Sequence, residues 1–202
     1  FGICMSYIIT RFLLWKKERI LQVFGGIGLV LLLWTFGYFG TSVYSWFGNI
    51  FDLSEYRGLD ATAYLENVFS EDAGAIRWLD ETIEGQPVVL EANGDSYSDY
   101  ERVSAMTGLP TVLGWYVHEW LWRGDPADLN VRAEDVKQMY TSTDTNEVLR
   151  LLEQYHVTYI FVGSKEKEKY GDALNELLLQ SIGDIVYQDT ASGTYILQVQ
   201  DT

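Results

Sequence analysis

The sequence predicts a mixed-sheet α/β domain preceded by a transmembrane helix. Three observations carry that expectation. No charged residue occurs between Arg19 and Asp52; apolar stripes at helical spacing alternate with short β-branched runs from Ser70 onward; and two late strand-like segments flank a turn. The chain has 202 residues, which is room for one compact domain and an appendage.

The appendage comes first. Ile20 to Gly40 reads ILQVFGGIGLVLLLWTFGYFG. As a helix this run spans about 31 Å, the thickness of a hydrocarbon core. A buried helix of a soluble core is the competing reading. Gly25, Gly26 and Gly28 lack the preceding strand and the Lys of a phosphate loop, and suit close helix packing instead. Phe1 to Thr10 is also uncharged, and its order does not match a signal peptide. The expected segments are the end of a truncated membrane helix over 1–15, a cytoplasmic loop over 16–19, a transmembrane helix over 20–41, a connector over 42–69 and an exterior domain over 70–202. Orientation follows from charge. Arg11, Lys16, Lys17 and Arg19 precede the span, whereas Asp52, Glu55, Asp60 and Glu66 follow it, which puts the basic loop in the cytoplasm and the domain outside. Trp15 at one end and Tyr38, Tyr44 and Trp46 at the other suit the two interfaces.

Within the domain, Ser70 is a candidate N-cap with Glu71 and Asp72 in the first turn, ahead of Ile76, Leu79 and Ile83. Gly85-Gln-Pro ends that helix. Val88-Val-Leu90 is a short buried-type strand, Tyr100 to Met106 a short helix closed by Gly108, and Thr111-Val-Leu113 a candidate second strand. Asp144 and Glu147 open a helix in capping-box fashion, with Val148, Leu151, Leu152 and Tyr155 as its stripe and His156 at its end. Val157-Thr-Tyr-Ile-Phe-Val162 is the strongest strand. Lys165 to Leu179 reads as one helix, and the alternating Lys165-Glu-Lys-Glu-Lys169 as its solvated face. Asp184 to Tyr187 and Thr194 to Val199 form an antiparallel pair across Asp189 to Gly193. The alternation gives a sandwich whose sheet is partly parallel, with an antiparallel edge.

Composition narrows the function. From Asp52 onward there are 28 acidic and 10 basic residues, so nucleic acid is excluded as a partner for want of clustered Lys and Arg. One cysteine, Cys4, leaves no disulfide framework and no Cys-based zinc site. His118-Glu119 lacks the second His of a zincin motif, and neither Ser96 nor Ser104 sits in a nucleophile elbow. The unusual stretch is Leu90 to Asp125, in which polar turns, glycines, aromatics and charges crowd between short apolar pieces. Glu91, Tyr97, Arg102, Trp115, His118, Glu119, Trp122 and Arg123 are the candidate substrate-binding residues: aromatic faces stack on sugar C–H surfaces while charged groups bond hydroxyls or phosphate. The competing reading makes the Trp residues core and His118, Glu119 and Arg123 a structural network.

Glu91-Ala-Asn-Gly, Ser96-Tyr97, Arg102-Val-Ser104, Thr107-Gly-Leu-Pro-Thr-Val-Leu-Gly-Trp115, His118-Glu-Trp120 and Trp122-Arg-Gly124 resemble the C-terminal part of the YYY family of prokaryotic polytopic membrane proteins. Tyr140-Thr-Ser-Thr-Asp144 and Val157 to Gly163 continue the match, which covers roughly Ala61 to Val199. The Tyr-Tyr-Tyr signature that names the family is not in this sequence. The family is similar in architecture to GT-C glycosyltransferases, which use lipid-phosphate-linked sugar donors and an acidic base in an early exterior loop. The resemblance therefore implies a glycosyltransferase in which this part contributes substrate binding rather than the catalytic base, so that this stretch alone is inactive. The alternative is a non-catalytic sugar- or peptide-binding exterior module of a transporter or envelope assembly protein. The implied partners are membrane lipid, a polyprenyl-phosphate sugar and the remaining membrane helices of the same protein, at the plasma membrane. No cofactor is expected in this stretch, and a divalent cation is a candidate only for the full-length protein.

Overall fold

A computed structural model describes residues 6–7, 10–11, 19–47 and 63–200. The expected N-terminal helix end over 1–15, most of the loop over 16–19 and residues 48–62 of the connector lie outside the described residues, apart from the four residues at 6–7 and 10–11. The chain divides into two units, Phe1–Gly58 and Leu59–Thr202.

In the first unit, α1 spans Arg19–Phe47, longer than the expected 20–41. Gln22–Ser45 is long and apolar enough to cross a membrane. The span's threonines do not leave bare hydroxyls: Thr35 donates to Leu32 O at 2.6 Å and Thr41 to Gly37 O at 2.9 Å.

The second unit runs α2 (Ala63–Val68), α3 (Ala73–Thr82), β1 (Val88–Leu90), α4 (Arg102–Thr107), α5 (Tyr116–Arg123), α6 (Ala127–Thr141), α7 (Thr145–Gln154), β2 (Val157–Val162), α8 (Ser164–Tyr170), α9 (Glu176–Ile182), β3 (Gly183–Gln188) and β4 (Tyr195–Val199). Strand order is β1-β2-β4-β3. β1 and β2 are parallel, whereas β4 runs antiparallel to both β2 and β3. The expected mixed sheet with an antiparallel edge is what forms. Thr111 adds only an isolated bridge to Val89, so no further strand forms at Thr111 to Leu113.

The sheet has a core on each face because side chains alternate along a strand. Leu90, Ile160, Val162, Tyr195 and Leu197 join Leu129, Val136, Met139, Val148, Leu151, Leu179 and Ile182 from α6, α7 and α9. Val89, Phe161 and Ile196 face the other way, onto Leu65, Phe69, Ile76, Leu79, Val103 and Leu109. Burial on both faces is why β1 and β2 read as near-continuous apolar runs.

Two local expectations change. The predicted helix over Lys165 to Leu179 is interrupted at Gly171, whose φ of 48° ends α8; a short 3-10 turn follows, and Asn175 caps α9 by accepting from Leu178 N at 3.2 Å. α3 is preceded by Asp72 rather than Ser70, but the Asp72 carboxylate does not cap α3; it accepts instead from Ser164 N at the first turn of α8.

Candidate functional site

The segment from Glu91 to Gly124 is built on the ends of β1 and β2. The two parallel strands end side by side, at Leu90 and Val162, which in open α/β sheets is a common place for a crevice. Here the chain fills it with its own side chains. Arg102, at the start of α4, donates from Nε to Asp72 Oδ2 at 2.7 Å and from Nη2 to Glu166 Oε2 at 2.8 Å. Its guanidinium also lies 5.2 Å from the Phe161 ring centroid. Arg102 is 2% exposed and both carboxylates are fully buried. Asp72 further accepts from Ser164 N at 3.0 Å, Ser164 Oγ at 2.5 Å and Thr194 Oγ1 at 2.9 Å. Glu166 also accepts from Ala92 N and Gly163 N, both at 2.9 Å.

Glu91, likewise 1% exposed, accepts from Val103 N at 2.8 Å and Ser104 N at 2.9 Å, and so holds the first turn of α4. Burial pushes its carboxyl above the usual range, only partly offset by those Ser104 bonds. Burial also opposes ionisation of Asp72, but the Arg102 charge and the Ser164 bonds outweigh it and hold that carboxyl low. Glu101 is the strained member. It adopts φ 58°, its Oε1 accepts from Gly94 N at 2.5 Å, and its buried Oε2 has no hydrogen-bond partner among the described residues. Burial pushes its carboxyl up to about 8. Lys169 donates to Asn93 O and Oδ1, and Gly94 leaves no room for a Cβ against the Tyr100 ring.

The other candidates gather at the surface. Trp115 Nε1 donates to Tyr100 O at 3.2 Å, and His118 N donates to Ser96 Oγ at 3.2 Å, which fastens α5 to the preceding loop. Trp115, His118 and Trp122 recur along one side of α5. The His118 ring stacks on Trp115 at 5.3 Å, meets the Tyr97 edge at 5.0 Å and lies 6.2 Å from Trp122. Tyr97 and Trp122 are more than four-fifths exposed. His118 Nδ1 is buried without a hydrogen-bond partner among the described residues. Beside this cluster Glu119 accepts from Gly114 N at 2.7 Å and pairs with half-exposed Arg123 at 2.8 Å.

The structure thus divides the candidates. Glu91 and Arg102 belong to an internal network whose members are all this chain's own groups. Tyr97, Trp115, His118, Trp122, Glu119 and Arg123 form a solvent-facing aromatic cluster with one ion pair at its side. Sequence reasoning missed Asp72, Glu101 and Glu166. The Lys165 to Lys169 run was expected to be solvated, but Glu166 is fully buried because the Arg102 charge lies opposite it. A single acid inside an alternating charge run gives no sequence signal. Among the described residues no group of His, Cys, Asp or Glu converges as a metal site would.

No family model matches the chain, and no curated protein matches it either. The chain is similar to the crystal structure of the C-terminal globular domain of an oligosaccharyltransferase from Archaeoglobus fulgidus, at 13% identity and a TM-score of 0.40, over 64% of this chain and 97% of that one. A likeness of that size carries no functional argument, and the YYY resemblance rests on the residues that display it.

Proposed function

We propose that the chain is a membrane helix and exterior domain of a multi-pass, GT-C-like glycosyltransferase, and that the aromatic cluster on α5 and its preceding loop is a sugar-stacking surface. One observation carries the reading: Tyr97, His118 and Trp122 form an unbroken line of rings in which the two outer members are largely open to solvent. Large aromatics left in water on a folded domain mark a binding surface. The Glu119–Arg123 pair offers hydroxyl and phosphate contacts beside it. The residue resemblance supplies the substrate class, a sugar carried on a lipid phosphate, and the basic-before, acidic-after charge pattern around α1 supports an exterior domain. The catalytic base lies elsewhere in such an enzyme.

The chain held in phosphatidylcholine nanodiscs, titrated with a polyprenyl-phosphate sugar and read by saturation transfer from aromatic to sugar protons, tests this. Trp122→Ala and Tyr97→Ala are expected to weaken binding by about tenfold, equivalent to ~1.4 kcal/mol. Unchanged binding in both variants removes the surface from consideration.

A further inference from the structure

Beyond the rings assigned to sugar, the far end of α5 also exposes an aliphatic side chain, Leu121, that stacking on a sugar does not use. Leu121 is 68% exposed and Trp122 82%, and α5 as a whole has no buried residue. Successive helix positions lie about 100° apart, so Leu121 extends the Trp122–His118 line sideways into a ridge. Tyr97, 83% exposed, adds a third amphipathic or apolar side chain at the other end of that line. Arg123 and Glu119 cancel one another at its border and Asp99 lies 3.8 Å from Lys165, so the uncompensated charges beside the ridge, at exposed Asp95 and Asp125, are acidic. By contrast Leu177, 84% exposed, stands on α9 in a sequence of polar and buried neighbours, as a single apolar residue ordinarily does.

A ridge of Trp, Tyr and Leu with a neutralised Arg at its rim has the chemistry of a lipid headgroup interface. Trp and Tyr rings concentrate there because one part of each is apolar and the other donates hydrogen bonds to water and ester oxygens. The occupant is argued from the chain itself. The helix Gln22–Ser45 is long enough to span a bilayer, and residues 48–62 join it covalently to the domain. A bilayer held by one part of a chain is present at high effective concentration around the rest, so a few weak interfacial contacts suffice. Charge selects among lipids: an excess of acidic side chains on the domain disfavours anionic headgroups and leaves zwitterionic ones.

We infer that the Leu121–Trp122 end of α5, with Tyr97, inserts into the zwitterionic headgroup layer of the membrane that the chain itself spans. This rests on the membrane-spanning part of the reading above and deepens it: the sugar surface then lies at the depth where the head of a lipid-linked donor lies, so the donor need not leave its bilayer.

The test uses the chain in phosphatidylcholine vesicles with Cys4→Ser and a single nitroxide at Leu121→Cys or, as the reference, Leu177→Cys. Collision with oxygen, which prefers lipid, is compared with collision with a water-soluble nickel chelate. The ratio is expected to be several-fold higher at 121 than at 177, and to fall toward the reference when Trp122→Ala is added. Equal ratios at the two sites, in chain that resists extraction by alkaline carbonate, overturn the insertion and leave the span standing. A label at 121 shielded from both reagents indicates a protein contact and also overturns it. Chain that is itself extracted by carbonate overturns the spanning reading on which the inference stands. Sugar binding that persists with a water-exposed label separates the failure of insertion from that of the sugar surface.

Discussion

At the level of single residues, the buried charges of the domain have opposite signs of pH dependence. Glu101 is held above its ordinary value, at about 8, by burial. The folded state therefore binds its proton more tightly than the unfolded chain does. Its contribution is fully present below the ordinary glutamate range and is lost as the pH rises toward 8. Asp72 is held low by Arg102 and Ser164 against the opposing effect of burial, so its contribution is present above the ordinary aspartate range and is lost in acid. Glu101→Gln keeps an acceptor for Gly94 N and removes the ionisation; it is expected to raise stability at pH 8.5 by about 1 kcal/mol or more and to do little at pH 5, as measured by urea unfolding followed by circular dichroism. Arg102→Met leaves Asp72 and Glu166 buried without their cation and is expected to cost about 3–5 kcal/mol in the same assay at pH 7. Substitution of Arg102 thus unfolds the domain rather than weakening a ligand, whereas Trp122→Ala, at an exposed position, changes binding with little change in stability.

At the level of elements, the caps separate what was legible from what was not. Asp144 precedes α7 and its side chain accepts from Asn146 N at 3.0 Å, as its position before the Val148–Leu151–Leu152 stripe implied. Asp144→Ala is expected to cost ~1 kcal/mol, read from the urea midpoint. Local chemistry of this kind is visible in sequence because donor and acceptor lie within a few residues. The hairpin of β3 and β4 and the strand β2 were legible for the same reason. α6 was not, although Leu129, Val136, Met139 and Tyr140 share one face: only Ala133 fills the turn between Leu129 and Val136, and exposed Val131 sits off that face, so the apolar signal is thin among charged side chains. Its inner face is completed by contacts distant in sequence, such as the Tyr140 hydroxyl donating within reach of both Phe161 O at 2.7 Å and Leu90 O at 3.0 Å. Of the Glu91-Ala-Asn-Gly motif, Glu91 stands among the candidate substrate contacts; in the fold its carboxylate holds α4, Ala92 N bonds Glu166 of α8, and Gly94 lies against the Tyr100 ring. Gly94→Ala drives a methyl into Tyr100 and is expected to displace the loop that presents Tyr97, lowering sugar binding along with stability.

At the level of the whole molecule, the proposed membrane attachment and exterior placement give a direct expectation: protease added to intact cells removes the domain beyond residue 63 and leaves the helix protected. Protection of the domain places it on the other side. The mixed sheet was legible as a class because its strands are short, apolar and punctuated by glycine and helices. The pairing order was not, since nothing local to β1 states that its neighbour is β2, which begins at Val157. That order bears on how the chain comes to be folded. β4 follows every other described strand in sequence, yet it lies between β2 and β3 rather than at a margin. A nascent polypeptide accordingly holds β2 with one rim unsatisfied until Tyr195 to Val199 arrive, and synthesis halted at Gly193 yields an open, protease-sensitive intermediate rather than a smaller domain.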